Sequence, residues 1–532
     1  MAKLRVIKGA AREVFSPPDI PDCPVSTPAL PLPDDNAPGP PGQTIKCCKT
    51  SRSAMIRREI TRRRVFIVIC GTLLITAAVL TAACMSAGSQ SDYSRGYEIG
   101  LEAYTYGLPL IVTNTTFETM TSIDVPDGAF GPVNQFNNVR SLNTAGSTAV
   151  VAPGANSLSS IAWLDLSKEP EVLHVPEVRD HFYVLALIDP YTNNPVNFGS
   201  ASDTLPGDYV IAGPGQDAVP IPAGTRRIMV NYTRIWIIGS TQLKGSYDTA
   251  NVTRIQDGYT LTPLSRYGTD YRPENVTNPR TTIKVSSIPG GLGFYDMLGQ
   301  QLALFPPPPA DQPALARFAE VGIGPGMAPS QNVHLGKDTF RGLEDALAAG
   351  PAQIKNDTRD LYVTGFDKNN GYLLGGFGQY GTDYPLRAVI SQIGLGAFTP
   401  DQAIYAIGWS DHNKTPLTGS NRYVLHMAAA PPGNEGWTLT VYNMNGGLVP
   451  NPINRSQFSD TSQLARNADG SVDLYLQSTQ PADPARVTNW LPTTPDGQGF
   501  EVMWRLLGPK PAEIPGILNG TGWQPPAITA MP

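Results

Sequence analysis

Between Asn421 and Pro452 apolar side chains fall on alternate positions. Tyr423, Leu425 and Met427 alternate with Arg422, Val424 and His426, and Trp437, Leu439 and Val441 are spaced by Thr438 and Thr440, with Tyr442 following. A period of two in aromatic and β-branched residues predicts half-buried strands. The Pro431–Pro432–Gly433–Asn434 break cannot lie in a central strand, because proline has no ladder donor, so it is a connection. Val472, Leu474 and Leu476 repeat the alternation after Asp469–Gly470, a pair suited to a tight hairpin turn. Upstream, Phe182 to Ile188 is a near-continuous apolar strand, the Asp208–Gly215 stretch gives a strand and turn, and Arg227 to Ser240 gives two more strands. A different period appears at Tyr93, Tyr97, Leu101 and Tyr104, which predicts an amphipathic helix. Phe294–Leu304, Ala314–Val321 and a short Phe340–Ala349 stretch also read as helices, the first two parted by Pro306–Pro309. The fold class expected is mainly β: two β-sandwich or jelly-roll-like domains joined by a helical bridge and preceded by a signal or anchor helix.

Composition changes the picture mainly at the N-terminus. Residues 17–41 are rich in proline and aspartate without an apolar period, a composition that cannot bury a core. Met55 then opens a basic run followed by apolar residues from Val65 to about Ala83, the order of an export signal. Such signals lie near the start of a chain, which points to Met55 as the start and to residues 1–54 as an upstream extension. The other reading is a cytoplasmic tail on a signal anchor. The run ends in Leu80–Thr81–Ala82–Ala83–Cys84, which resembles a lipobox with Thr81 in place of the usual Leu or Val. Arg63–Arg64–Val65–Phe66–Ile67 resembles a twin-arginine motif. The run of roughly 20 residues would also just span a bilayer. Each reading puts the body outside the cytoplasm, by Cys84 lipidation, by a helix or by release, and the expected location is the cell envelope with a membrane anchor. No cysteine follows Cys84, so the body can have neither a disulfide nor a cysteine metal site. The first 83 residues hold 12 Lys+Arg and 6 Asp+Glu of the chain's 39 and 45, which leaves the remainder at net −12. That acidity argues against nucleic acid as partner.

The ordered part resembles the tandem of domain-of-unknown-function families 1254 and 1214 of bacterial exported proteins. In the N-terminal half the resemblance rests on Trp163–Leu164–Asp165–Leu166, Asp189 with Tyr191–Thr192–Asn193, Gly207–Asp208–Tyr209 with Gly213–Pro214–Gly215, and Ile255–Gln256 with Tyr259 and Pro263–Leu264. In the C-terminal half it rests on Asp383–Tyr384 with Arg387–Ala388, Gly394 to Ala397, Tyr423, Trp437 to Tyr442, Asn451–Pro452, Asp469–Gly470, Asn489 to Pro492, Arg505, and Trp523 with Pro525–Pro526. The resemblance spans residues 95–527 and implies fold more than activity. One departure concerns chemistry. Where the family has Asp-Thr-Leu-Tyr-Ser, this chain has Asn156, Ser157 and Ser159 at the Asp, Thr and Tyr, and an amide cannot serve as a general base. The expected organisation is an extension over 1–54, a signal or anchor over 55–84, an N-terminal β domain over 93–265, a helical bridge over 266–370 and a C-terminal β domain over 371–532.

Catalytic patterns are absent. Gly376, Gly378 and Gly381 satisfy G-x-G-x-x-G without a βαβ context, no histidines stand at zinc spacing, and no G-x-S-x-G elbow occurs. No cofactor or metal is therefore expected. Asp411–His412 reads as a solvated turn. Two groups are candidates for ligand binding. Asp189, Tyr191 and Asn193 end a strand, where loops carry function. Arg387, Asn489, Trp490 and Arg505 could line a mouth on the second domain; the alternative is that Asn489 bonds backbone, Trp490 fills core and Arg505 pairs with a carboxylate. The function expected is a small-ligand or partner-binding envelope protein, with a hydrolase or lyase acting on a carbohydrate or small polar substrate as the alternative.

Overall fold

The computed structural model describes residues 90–147, 151–274 and 276–532. The expected extension, export signal and Cys84 lie outside them.

A long helix, α1, covers residues 90–120. Nine strands and a helix follow: β1 Asn137–Asn138, β2 Ser157–Asp165, β3 Glu171–Val175, β4 Tyr183–Ile188, β5 Val196–Gly199, β6 Gly207–Ala212, β7 Arg226–Met229, β8 Arg234–Gln242, α2 Thr249–Gly258 and β9 Thr260–Pro263. They form a five-stranded sheet, β1-β2-β8-β4-β5, and a four-stranded sheet, β7-β6-β3-β9. Leu164, Leu185, Leu187 and Ile237 from the first meet Leu173, Val175, Tyr209 and Ile211 from the second in one core. The unbroken apolar run of β4 now has its reason. Leu185 and Leu187 face that core, while Val184, Ala186 and Ile188 face a second core on the other side of the sheet, so both faces are covered. Helix α2 was not legible, because its TANVTRIQDG sequence buries only Val252 and Gln256.

The middle of the chain is helical: α3 Gly293–Leu304, α4 Gln312–Ala319 and α5 Lys337–Phe366. Helix α5 is 30 residues long and passes through Pro351, where the sequence reading stops at Ala349. An interior proline removes one helical hydrogen bond, but Ile354, Tyr362 and Phe366 beyond it are buried, and Tyr362 packs edge-on against Trp409 at 5.0 Å. Tertiary packing overrides the local break. Helix α5 reaches α1 at a very close approach, where a Cβ on Gly342 would fall 2.4 Å from the Tyr93 carbonyl oxygen and 2.7 Å from the Tyr97 nitrogen. Gly342→Ala would gain helix propensity of up to about 1 kcal/mol, yet both neighbours are backbone and cannot turn aside. The expected outcome is a net loss of about 2 kcal/mol in chemical denaturation; an unchanged or higher midpoint would mean the helices are not in this contact.

The remainder comprises β10 Leu373–Gly375, α6 Tyr384–Ile393, β11 Ala403–Gly408, β12 Arg422–Met427, β13 Gly433–Asn443, β14 Gln457–Ser459, β15 Val472–Gln477, α7 Pro484–Val487, β16 Trp490–Pro492, β17 Phe500–Pro509, α8 Ile514–Asn519 and β18 Ile528–Met531. Sheets β10-β11-β17-β13-β14 and β16-β15-β12-β18 again share a core, with Leu439, Val441, Trp504 and Leu506 against Tyr423, Leu425, Leu474 and Leu476. The buried positions of β12 are Tyr423, Leu425 and Met427, the alternating set. The proline break carries the chain from one sheet to the other, since β12 and β13 are not neighbours. The Asp469–Gly470 turn is closed by Asn467 and Ser471, but β15 pairs with β12 and β16, so this turn joins no hairpin. Asp411 is buried rather than solvated, and its carboxylate accepts the Asn413 and Thr415 N–H groups.

The mainly β expectation needs one correction. Among the described residues four sheets and no barrel are present, but strands account for 25% of them and helices for 28%. The helices are a packing layer and not only a bridge: α1, α3, α4, α5 and α6 contribute to one core that also takes Tyr191 and Tyr232 from the first half and Ile407, Tyr442 and Met503 from the second.

Candidate functional site

The Asp189–Asn193 turn follows β4 and faces this layer. The Asp189 carboxylate accepts the backbone N–H of Tyr191 and of Asn193, both at 2.9 Å, and the Asn193 side-chain amide at 3.1 Å. These bonds explain why an aspartate ends the strand: a short carboxylate folds back onto the next N–H groups and fixes the turn. Burial pushes its pKa up to about 6, against the lowering effect of the Asn193 bonds and the Arg387 charge. Thr192 within the turn has φ 67°, a strained value for a β-branched residue, and its buried hydroxyl has no partner. Asn194 donates its N–H to the Gly378 carbonyl at 2.6 Å. The glycine loop between β10 and α6 is thus a docking surface for the turn.

Arg387, on α6, is brought to this turn. It is 1% exposed, and its guanidinium carbon lies 4.9, 5.1 and 5.5 Å from the ring centres of Tyr106, Tyr384 and Tyr191. Cation–π attraction of this kind is strengthened by desolvation. Two of the same tyrosines also hold a carboxylate: Tyr106 and Tyr384 each donate a hydroxyl at 2.9 Å to Asp311, which is 1% exposed at the start of α4. Tyr191 donates to the Phe305 carbonyl at 2.7 Å. Burial raises the pKa of each of these phenols, in Tyr384 to about 12, so they stay protonated and act as donors. Arg387 has what the others lack: its Nε and Nη2 have no hydrogen-bond partner.

The rings run on as a belt. Tyr191 meets Tyr232 at 5.6 Å and Tyr232 meets Phe305 at 6.2 Å. Arg234 lies 4.9 Å from Phe305 and 3.8 Å from Phe117 and donates to Asn114 at 2.8 Å. Phe117 packs on Trp163, which stacks on its cross-strand partner Trp236 at 4.8 Å.

Of the sequence candidates, Asp189, Tyr191, Asn193 and Arg387 therefore lie together. The others do not join them. Asn489 bonds backbone, donating to the carbonyls of Ala465 and Asp473 and accepting the Ala465 N–H. Trp490 is buried and donates to the Gln477 carbonyl at 2.9 Å. Arg505 donates to the Ala152 carbonyl at 2.6 Å, between Tyr405 and Tyr442. Near Arg505 on β17, Glu501 accepts the Trp409 indole N–H at 2.6 Å and is pushed by burial up to about 7. The sequence reading missed Tyr106, Tyr232 and Asp311, which come from three separate segments. Asp311 lies between two helical stretches of the expected bridge, just after the Pro306–Pro309 run, where no periodicity marks it.

Among the described residues no group of three or more His, Cys, Asp or Glu could hold a metal, and no helix is long and apolar enough to cross a membrane.

The architecture defines a class of protein: two pairs of facing sheets, one in each half of the chain, with a shared helical layer and a charged, aromatic seam between them. Two family models match the chain in tandem: a protein of unknown function (DUF1254) over residues 133–263, followed by DUF1214 over residues 402–511. Tyr106, Asp311, Tyr384 and Arg387 fall outside both segments, so the seam is completed by the helices around them. The crystal structure of the VPA0106 protein from Vibrio parahaemolyticus is similar in fold: 19% identical, TM-score 0.57, covering 82% of this chain and 100% of its own. An uncharacterized protein from Burkholderia cenocepacia aligns over 86% of this chain and 98% of its own at 13% identity and TM-score 0.38. No curated protein matches the sequence.

Proposed function

We propose that this is an exported cell-envelope protein, anchored by lipid at Cys84 or by its apolar segment, that binds a small polar ligand in the Asp189–Arg387 seam. Support for export comes from the basic-then-apolar order of residues 55–84 and from the acidic, cysteine-free body. Support for ligand binding comes from one observation above all. A guanidinium that is 1% exposed keeps two N–H groups without partners, although an unsatisfied buried donor costs about 1–3 kcal/mol and more when charged. Such a cost persists where another molecule supplies the acceptor. Binding is favoured over turnover because the nearby carboxylates are already engaged in holding the fold, Asp189 by its own turn and Asp311 by two phenols.

The test is a thermal-shift screen of the full chain in detergent against divalent metals, oligosaccharides and small organic acids. A ligand at a hundredfold its Kd adds about 2.7 kcal/mol. The expected result is a shift with one chemical class that disappears in Arg387→Gln. A shift that persists in that variant would place the ligand elsewhere. Mass spectrometry of the mature N-terminus tests the anchor: a chain beginning at a lipid-modified Cys84 is expected for a lipid anchor, and an uncleaved apolar segment for a helix.

A further inference from the structure

We propose that the ligand is an organic monocarboxylate, held side-on by the Nε–Nη2 edge of Arg387. This rests on the ligand-binding reading above and narrows it to a chemical class.

Nε and Nη2 carry parallel N–H bonds along one edge of the guanidinium plane. Their spacing matches the two oxygens of a carboxylate, the bidentate arrangement in which arginine is most specific. Both are the unpartnered atoms. Tyr106, Tyr191 and Tyr384 surround the same guanidinium at 4.9, 5.5 and 5.1 Å, and its Nε–Nη2 edge is where acceptors are missing. The turn that brings Tyr191 there carries a second unpartnered buried group, the Thr192 hydroxyl.

Charge then separates the oxyanions. Arg387 acts electrostatically on Asp189, and its tyrosines hold Asp311, so one positive charge stands among two carboxyl groups. A phosphate dianion would bring two further negative charges into this surplus, whereas a carboxylate brings one. The surrounding aromatic walls suit the apolar body of an organic acid better than a strongly hydrated inorganic ion.

The experiment is calorimetric titration of the full-length protein in detergent micelles with acetate and benzoate. The controls are the matched neutral amides, acetamide and benzamide, and inorganic phosphate. At least one acid is expected to bind at least tenfold tighter than its amide and than phosphate. Arg387→Lys, which keeps the charge but loses the fork, is expected to weaken that acid at least tenfold. If an amide equals its acid and both need Arg387, the carboxylate assignment fails while the ligand site stands. If acids bind equally to the Arg387→Lys protein, both readings fail. If no acid binds, the carboxylate assignment is overturned. Should Arg387→Lys lose its fold by circular dichroism, a co-crystal of the unaltered protein with 4-bromobenzoate decides. A bromine anomalous peak beside Tyr106, Tyr191 or Tyr384 supports the proposal, and a peak elsewhere or none overturns it.

Discussion

Asp311→Ala is expected to lower stability by about 4 kcal/mol, the largest single-residue effect anticipated in the seam. The substitution removes the acceptor of two buried phenols, Tyr106 on α1 and Tyr384 on α6. Each stranded hydroxyl costs about 1–3 kcal/mol. It also removes a carboxylate that shares both tyrosines with the buried Arg387. These contributions overlap, which is why their sum is not the expectation. Asp311→Asn retains an acceptor oxygen and should lose about half as much, while Tyr384→Phe removes one bond and should cost about 1 kcal/mol. Urea denaturation of the three variants orders them. A loss below about 1 kcal/mol for Asp311→Ala would mean that Asp311 is solvated and does not tie α1, α4 and α6 together.

The same cluster shows what a sequence can and cannot disclose. The alternation of Tyr423, Leu425 and Met427 reports a single covered face, and the structure buries those three. Periodicity is a local property, so it is legible wherever one strand face meets a core. The strand end at Asp189 was legible for a similar reason, because the apolar run of Phe182 to Ile188 stops there; the carboxylate folding back on the Tyr191 and Asn193 N–H groups was not read from the sequence. Helix α5 was read only to Ala349, since the contacts that carry it past Pro351 come from Trp409 and its neighbours. Tyr106 and Asp311 could not be paired from the chain, being 205 residues apart and joined only by packing. Arg387 could be named, but its environment could not. Asn489 and Trp490 were quoted for the same resemblance and turn out to hold backbone and core, so membership in a motif did not separate structural residues from those of the seam.

The stability of the wild-type protein is expected to fall as pH rises from about 4 to about 8, and Glu171→Gln should remove much of that slope. Glu171 lies on β3, where strand alternation gives it the face of Leu173 and Val175. It is 1% exposed and its Oε2 has no partner. Burial first, and the nearby Glu169 second, push its pKa up to about 8. The unfolded chain releases this proton near pH 4.3, so between about 4 and 8 the native state holds more protons than the unfolded one. A raised carboxyl pKa therefore costs stability with increasing pH, at up to about 1.4 kcal/mol per unit, and the cost levels off once both states are ionised. Partial relaxation around the charge makes the total on the order of 3 kcal/mol. Asp189 and Glu501, raised to about 6 and 7, tilt the profile in the same direction. The difference between wild type and Glu171→Gln isolates the one residue. Glutamine is neutral throughout, so any cost of its amide shifts the difference curve by a constant and leaves its slope to Glu171. Denaturation midpoints at pH 4, 6, 8 and 9 should show the variant gaining on wild type by about 3 kcal/mol across the range. A flat difference would mean that Glu171 is ionised in the folded protein, with a cation or water at its Oε2.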